Sequence, residues 1–288
     1  MSDLQNPSRR SMIRGLGIAA ATASAAAVST TTNAQAANTR PLAGKVAIVT
    51  GARNNQGRAY AVELAKLGAN LVLHYHREET RAEIEQTSSM TQEFEVSTAL
   101  IAGDLGDPGV ATGIFDLAET RFGGADILVH TSGRIIKKPM AEFTDEDFER
   151  LLNDNTRTTF YTMREGARRL RDNGRIIAIG TSLTAGAAPG YAVYGGTKAP
   201  VEEFTRMMAK ELGSRGITVN NIAPGPLDNP FFHAAETPET AAYAARLSVE
   251  GRLGTEADIV PLVAHLASGE SRWQNGQTLF VNGGYLTR

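Results

Sequence analysis

Tyr194 and Lys198 stand four residues apart in the segment GYAVYGGTKAPVEEF. On a helix that spacing puts a phenol and an ammonium on one face. A free phenol has a pKa of about 10 and releases its proton poorly at neutral pH. A neighbouring cation favours the phenolate and draws that pKa toward working pH. Such a pair can give a proton to a carbonyl oxygen or take one from an alcohol. Y-x-x-x-K also occurs on solvated helices, so the surrounding elements decide what it means. Just upstream, RIIAIGTSL is an apolar strand ending in two hydroxyls, Thr181 and Ser182.

A second constellation lies far upstream, in KVAIVTGARNNQGRAYA. A strand enters Thr50-Gly51-Ala52-Arg53-Asn54-Asn55-Gln56-Gly57 and a helix follows. Gly51 lets the backbone turn sharply, and Gly57 lets the helix start close to the strand or a ligand. The free N–H groups of a helix N-terminus suit a pyrophosphate. Two glycines in such a turn also arise for packing alone; its place after the first strand of an α/β array favours a dinucleotide. Cofactor choice is read at the end of the second strand, Leu73-His74-Tyr75-His76-Arg77-Glu78. No carboxylate closes that strand to hold the ribose hydroxyls of NAD. Arg77 suits a bidentate phosphate contact, with Arg53 as a second cation and His76 beside it. Glu78 opposes this by like-charge repulsion. NADP is expected over NAD.

These groups need a framework. Apolar runs at Lys45–Thr50, Asn70–Tyr75, Ser97–Ala102, Ile127–His130, Arg175–Gly180, Thr218–Ile222 and Thr278–Val281 read as seven strands. Helical patterns fall at Gly57–Leu67, Thr80–Gln92, Pro108–Phe122, from an N-cap at Thr144 (with Asp147 as its partner) to about Leu170, and at Ala192–Arg215. Val/Ile/Leu strands separated by helices predict an α/β fold: one Rossmann-type, doubly wound, parallel seven-stranded sheet in a single domain. Pro200 inside the last helix predicts a kink or a late start. Pro224 to about Thr237 is an irregular stretch and a candidate lid.

From about Leu42 onward the chain resembles the short-chain dehydrogenase/reductases. Their glycine motif TGxxxGxG is matched with Asn55 at the middle glycine, and asparagine tolerates a left-handed backbone. Their Asn-Asn-Ala-Gly appears as His130-Thr131-Ser132-Gly133; Ser132 and Gly133 are assigned to the cofactor. Asn155 in NTRTTF matches the family's helix asparagine, which the resemblance implies holds a water linking Lys198 to solvent. The family serine lies thirteen residues before the tyrosine. That spacing selects Thr181, whereas residue type selects Ser182. By the same resemblance Lys198 binds the nicotinamide ribose, Asp104-Leu105 contacts adenine, and Pro224-Gly225, with Leu227, lies beside the nicotinamide. Asn229 stands where threonine is usual. HYHR, GYAVY and the ending GGYLTR are similar to pteridine reductases, although that subgroup carries aspartate at the position of Thr181. Leu183, Ala187, Ala188, Pro189, Tyr191, Phe231 and Phe232 suggest an apolar or aromatic carbonyl substrate, or core packing. The expected activity is NADP-dependent interconversion of a carbonyl and a secondary alcohol. The altered loops leave a non-catalytic NADP-binding sensor as the alternative. The family implies a homo-oligomer, a dimer or tetramer.

Composition narrows the rest. The 288 residues carry a formal charge of −2 and no cysteine. There is no basic footprint for nucleic acid, no disulfide and no thiolate chemistry. His74 and His76 share a strand face with no third ligand near in sequence, so no metal centre is expected. Ser8-Arg9-Arg10-Ser11-Met12-Ile13-Arg14, the run Gly15–Val28 and Ala34-Gln35-Ala36 resemble a twin-arginine export signal, with cleavage expected after Ala36. The domain then spans 37–288. The run is too weakly apolar for a stable membrane span. The expected location is the periplasm, with the cytoplasm as alternative if export is inefficient.

Overall fold

The computed structural model describes residues 40–287. The expected leader lies outside the described residues. The elements run β1 (Val46–Val49), α1 (Asn55–Lys66), β2 (Asn70–Tyr75), α2 (Arg81–Gln92), β3 (Thr98–Ala102), α3 (Pro108–Phe122), β4 (Ala125–His130) and α4 (Asp145–Leu151). A π-helical turn, Leu152–Arg157, leads into α5 (Thr158–Arg169) and β5 (Leu170–Ile179). Then follow α6 (Ala192–Lys198), α7 (Pro200–Glu211), β6 (Thr218–Pro224), α8 (Pro230–His233), α9 (Pro238–Leu247), α10 (Glu256–Ala267) and β7 (Thr278–Val281).

All seven strands are parallel, in the order β3-β2-β1-β4-β5-β6-β7. Ile48 of β1 stands against Val72 on one side and Leu128 on the other. The winding reverses between β1 and β4, so the crevice beyond their carboxyl ends is where a ligand fits an open α/β sheet. Alternate residues of each strand face opposite sides. Ala47 and Val49 pack with Leu64 of α1 and Val263 of α10. Val46 and Ile48 pack with Phe115 of α3, Met163 of α5 and Val201 of α7. Burial on both faces explains why the strands read as unbroken apolar runs.

The structure departs from the sequence expectations in four places. The helix expected over Ala192–Arg215 divides at Ala199, and Pro200 opens α7 at its first position. Ala199 keeps helical torsions (φ −55°, ψ −38°), and the proline removes one backbone bond at this junction. Tyr194 and Lys198 therefore stay on one helical piece. β5 starts at Leu170, because Leu170 pairs with Ala125 before a register shift. The interval Pro224–Thr237 is not wholly irregular: β6 reaches Pro224 and α8 forms within it. Helices α9 and α10 follow, each opened by a capping box, at Thr237/Thr240 and Thr255/Asp258. The Thr144/Asp147 cap opens α4 as expected. Among the described residues no helix is long and apolar enough to cross a membrane.

Candidate active site

A cleft of ≈ 500 Å³ opens at the carboxyl edge of the sheet. Tyr194 and Lys198 reach it from α6, and both are nearly enclosed, at 5% and 3% exposure. Thr181, at the end of β5, hydrogen-bonds the Tyr194 phenol. The Ser182 hydroxyl instead donates to the Ala223 carbonyl at 2.9 Å, tying the turn to β6. Both hydroxyls line the cleft, and only Thr181 acts on the phenol.

Burial pushes the Tyr194 phenol up to about 12, and Thr181 draws it back down. Lys198 Nζ donates to the Ile179 carbonyl at 2.9 Å. Its own pKa falls to about 8 because burial disfavours the ammonium.

Asn155 is fully buried in the π-helical turn. Such turns gather at functional sites because they displace one carbonyl from the regular ladder. Its Oδ1 accepts from the Arg134 N–H at 2.8 Å; its Nδ2 donates to the Arg134 carbonyl and to Thr197 Oγ1, each at 3.0 Å. Asn155 stands behind the cleft wall and not in it. Gly133 lies between: a Cβ there would meet Lys198 Nζ at 2.9 Å and Asn155 Oδ1 at 3.0 Å. Only a glycine lets this backbone approach both groups undisturbed.

The turn after β1 forms the opposite wall, with Gly51, Arg53, Asn55, Gln56 and Gly57 lining the cleft. Asn55 takes φ 45°, the left-handed conformation its family position requires. A Cβ on Gly57 would lie 2.1 Å from the Gly51 carbonyl oxygen, so α1 can begin this close only with glycine. Asn54 precedes α1 without a side-chain cap bond, and the first turn holds no acidic residue. Uncapped N–H groups and a positive helix end form a cradle suited to a pyrophosphate. The residues present therefore fit a nicotinamide dinucleotide. Ser132, Asp104, Leu105, Pro224, Gly225 and Leu227 also line the cleft.

Beside the glycine turn and the end of β2 the wall carries Arg53 and His76. Arg53 binds both carboxylate oxygens of Glu83 at 3.0 Å, and His76 Nδ1 lies 3.9 Å from Asp104. Arg77 does not line the cleft: it begins the exposed turn after β2, and its carbonyl accepts from Thr80. On the substrate side Leu183, Tyr191, Phe231 and Phe232 line the wall, whereas Ala187, Ala188 and Pro189 do not.

Sequence reasoning missed several groups. Glu236, from the segment before α9, accepts from the Tyr191 phenol and pairs with Lys137. Burial works against this carboxylate, but bonds from Lys137, Thr240 and Tyr191 hold it below the usual range. The Tyr191 ring meets the Tyr194 ring edge-on, with centroids 6.0 Å apart. Arg134 pairs with Asp154 on the cleft wall. His74, at the end of β2, and His130, the first residue of the altered Asn-Asn-Ala-Gly segment, are both buried. His74 Nδ1 accepts from the Gly51 N–H at 3.3 Å, and its Nε2 faces the Gly103 carbonyl at 2.9 Å. The sequence signal was available for His130 alone, as the first residue of the altered Asn-Asn-Ala-Gly segment.

Comparison with known proteins agrees with this architecture. Residues 51–286 match the family model described as Enoyl-(Acyl carrier protein) reductase. The chain is 38% identical over 260 residues to an NADPH-dependent aldehyde reductase-like chloroplastic protein of Arabidopsis thaliana, covering 85% of this chain and 96% of that relative. It is 38% identical over 253 residues to a short-chain type dehydrogenase/reductase of Picea abies, covering 85% and 93%. A Burkholderia cenocepacia dehydrogenase crystallised with bound NADP superposes with a TM-score of 0.83 at 35% identity, covering 88% of this chain and 97% of that one. With the parallel sheet, the glycine turn and the Tyr194/Lys198 pair in one cleft, the chain belongs to the short-chain dehydrogenase/reductase family of oxidoreductases acting on carbonyl and CH–OH groups.

Proposed function

We propose that this enzyme reduces a carbonyl compound to a secondary alcohol with NADPH, and that Tyr194 supplies the proton. The observation that carries this is the enclosed phenol, hydrogen-bonded by Thr181 in the same cleft as the glycine-turn cradle. A phenol pushed to about 12 is fully protonated at neutral pH, which is the state a proton donor needs. Bound NADPH supplies the hydride. Thr181 orients the substrate oxygen beside Tyr194. Lys198 holds the nicotinamide ribose, and Asn155, through its contacts around Arg134 and Thr197, supports the route by which the proton is replaced. Alcohol oxidation needs the phenolate and becomes favourable only at high pH.

Arg53 and His76 on the cleft wall and the lack of a carboxylate closing β2 support NADP. The Arabidopsis relative is named as NADPH-dependent and the Burkholderia structure holds NADP, which supports the same choice. Leu183, Phe231 and Phe232 favour an apolar or aromatic substrate. Phe160 and Met207 on the outer faces of α5 and α7 are 44% and 52% exposed, which supports pairing with a second copy. The twin-arginine-like leader supports export with the cofactor already bound; a mature chain beginning at Ala37 in a periplasmic fraction tests this.

The test of function is NADPH consumption over a panel of ketones, aldehydes, enones and pterins. Turnover of a carbonyl, abolished in Tyr194→Phe with NADPH binding intact, is the expected result. Tight NADPH binding without turnover on any member favours the sensor, and selective turnover of a pterin favours that narrower reading.

A further inference from the structure

His130 is wholly buried between two hydroxyls, one at the end of β1 and one on α5. Its Nδ1 lies 3.2 Å from Thr50 Oγ1, at the end of β1. Its Nε2 lies 3.1 Å from Thr159 Oγ1, on α5. The direction of each bond follows from what else the hydroxyls do. Thr159 Oγ1 is 2.6 Å from the Asn155 carbonyl, which can only accept, so the Thr159 proton goes there. Toward His130 it must accept, which places a proton on Nε2. A neutral imidazole then offers a lone pair at Nδ1, and the Thr50 hydroxyl donates to it. Thr50 Oγ1 in turn accepts from the Thr131 N–H at 3.0 Å and the Ser132 N–H at 3.4 Å. Donors and acceptors match along the whole line, from the Thr131 N–H to the Asn155 carbonyl.

We propose that His130 is a positioning residue that locks the cofactor turn to the π-helical turn of Asn155 through this one-directional chain. The proposal rests on the reductase reading, since it concerns how Asn155 and the glycine turn are held for that reaction. The chain requires the Nε2–H tautomer, because a proton on Nδ1 would face the Thr50 hydroxyl with a second donor. Burial and the nearby Lys198 keep the ring neutral, drawing its pKa down to about 3. One side chain thereby fixes two backbone segments that meet different parts of the reaction.

The two arms separate by substitution. An asparagine amide overlays Nδ1 and reaches Thr50 but not Thr159; a glutamine amide overlays Nε2 and reaches Thr159. In His130→Asn, kcat falls about 10-fold while the NADPH dissociation constant changes far less; in His130→Gln the larger change, about 10-fold, falls on NADPH binding. A merely structural histidine would lower stability in both variants without this crossed pattern. Long-range proton–nitrogen spectra of labelled wild-type protein should show the His130 proton on Nε2 at pH 7, the signal being assigned by its loss in the variants. A proton on Nδ1, or variants that shift kcat and NADPH binding alike or not at all, overturns the proposal. If wild-type protein reduces no carbonyl in the panel, the reductase reading fails, while the spectrum and the NADPH titration still judge the His130 chain separately.

Discussion

Gly133→Ala is the sharpest perturbation of the proposed proton route. The Gly133 backbone does not lie in the left-handed region, so alanine is sterically possible as far as φ is concerned. The added Cβ would meet Lys198 Nζ at 2.9 Å and Asn155 Oδ1 at 3.0 Å. Ordinary contact needs about 3.7 Å, so the ammonium must retreat by about 0.8 Å. Nζ is the free end of a flexible chain and moves more readily than the strand. Its bond to the Ile179 carbonyl, 2.9 Å in the native protein, is then stretched beyond hydrogen-bond range. Displacing the lysine by nearly 1 Å from its working position is expected to lower kcat about 10- to 100-fold. NADPH consumption under saturating substrate measures kcat, and a thermal melt measures the fold. The expected outcome is a large loss of kcat with a melting temperature within a few degrees of wild type. Wild-type kcat would refute the reasoning. So would a collapse in melting temperature, which would mean that the backbone and not the lysine absorbs the clash.

Three further outcomes follow from the site. Thr181→Ala removes the hydroxyl that reaches Tyr194 and should lower kcat about 10- to 100-fold. Ser182→Ala should instead cost about 1 kcal/mol of stability, read by urea denaturation, with kcat nearly kept; a reversal of the two phenotypes would reassign the hydroxyl. Burial draws His74 down to about 4 and His130 to about 3, from an ordinary 6.5. Folded pKa values below the unfolded ones add stability above pH 6.5 that is lost as pH falls, about 3 kcal/mol for the pair between pH 7.5 and 5.5. Unchanged urea midpoints across that interval would contradict buried neutral rings. Glu236→Gln keeps a partner for the Tyr191 phenol but loses the ion pair with Lys137. It should raise substrate KM several-fold, and protease should cut between residues 231 and 237 faster; unchanged KM and cleavage would show that this junction does not hold the segment closed.

Features set by local spacing were legible in the sequence. The seven strands, the glycine turn, the left-handed Asn55 and the shared helix face of Tyr194 and Lys198 all follow from residues within about one turn or strand of each other. What was not legible depends on direction or on distant neighbours. Four residues of spacing cannot say that Lys198 Nζ bonds the Ile179 carbonyl, nor how far burial raises the phenol. Glu236 meets Tyr191 across 45 residues of chain. Arg77 looked suited to phosphate, but the exposed turn after β2 carries it off the cleft wall while Arg53 remains on it. Helix α10 was hidden by Pro261 in its interior, which on propensity alone speaks against a helix.

The departures from the family pattern are the strongest motive for a binding-only protein, and their geometry weighs against that reading. Asn55 adopts the torsion for which the family uses glycine. His130 bonds at both ring nitrogens, and Thr131 donates its hydroxyl to the Thr50 carbonyl at 2.6 Å. Gly133, the residue whose Cβ would press on Lys198 and Asn155, is the one position of that segment left unchanged. A site drifting away from turnover has no reason to keep an undisturbed gap beside a buried lysine, at a cost in backbone entropy that alanine would avoid. The replacing residues make hydrogen bonds of their own and Gly133 leaves the ammonium undisturbed, so these departures do not by themselves speak for a binding-only protein.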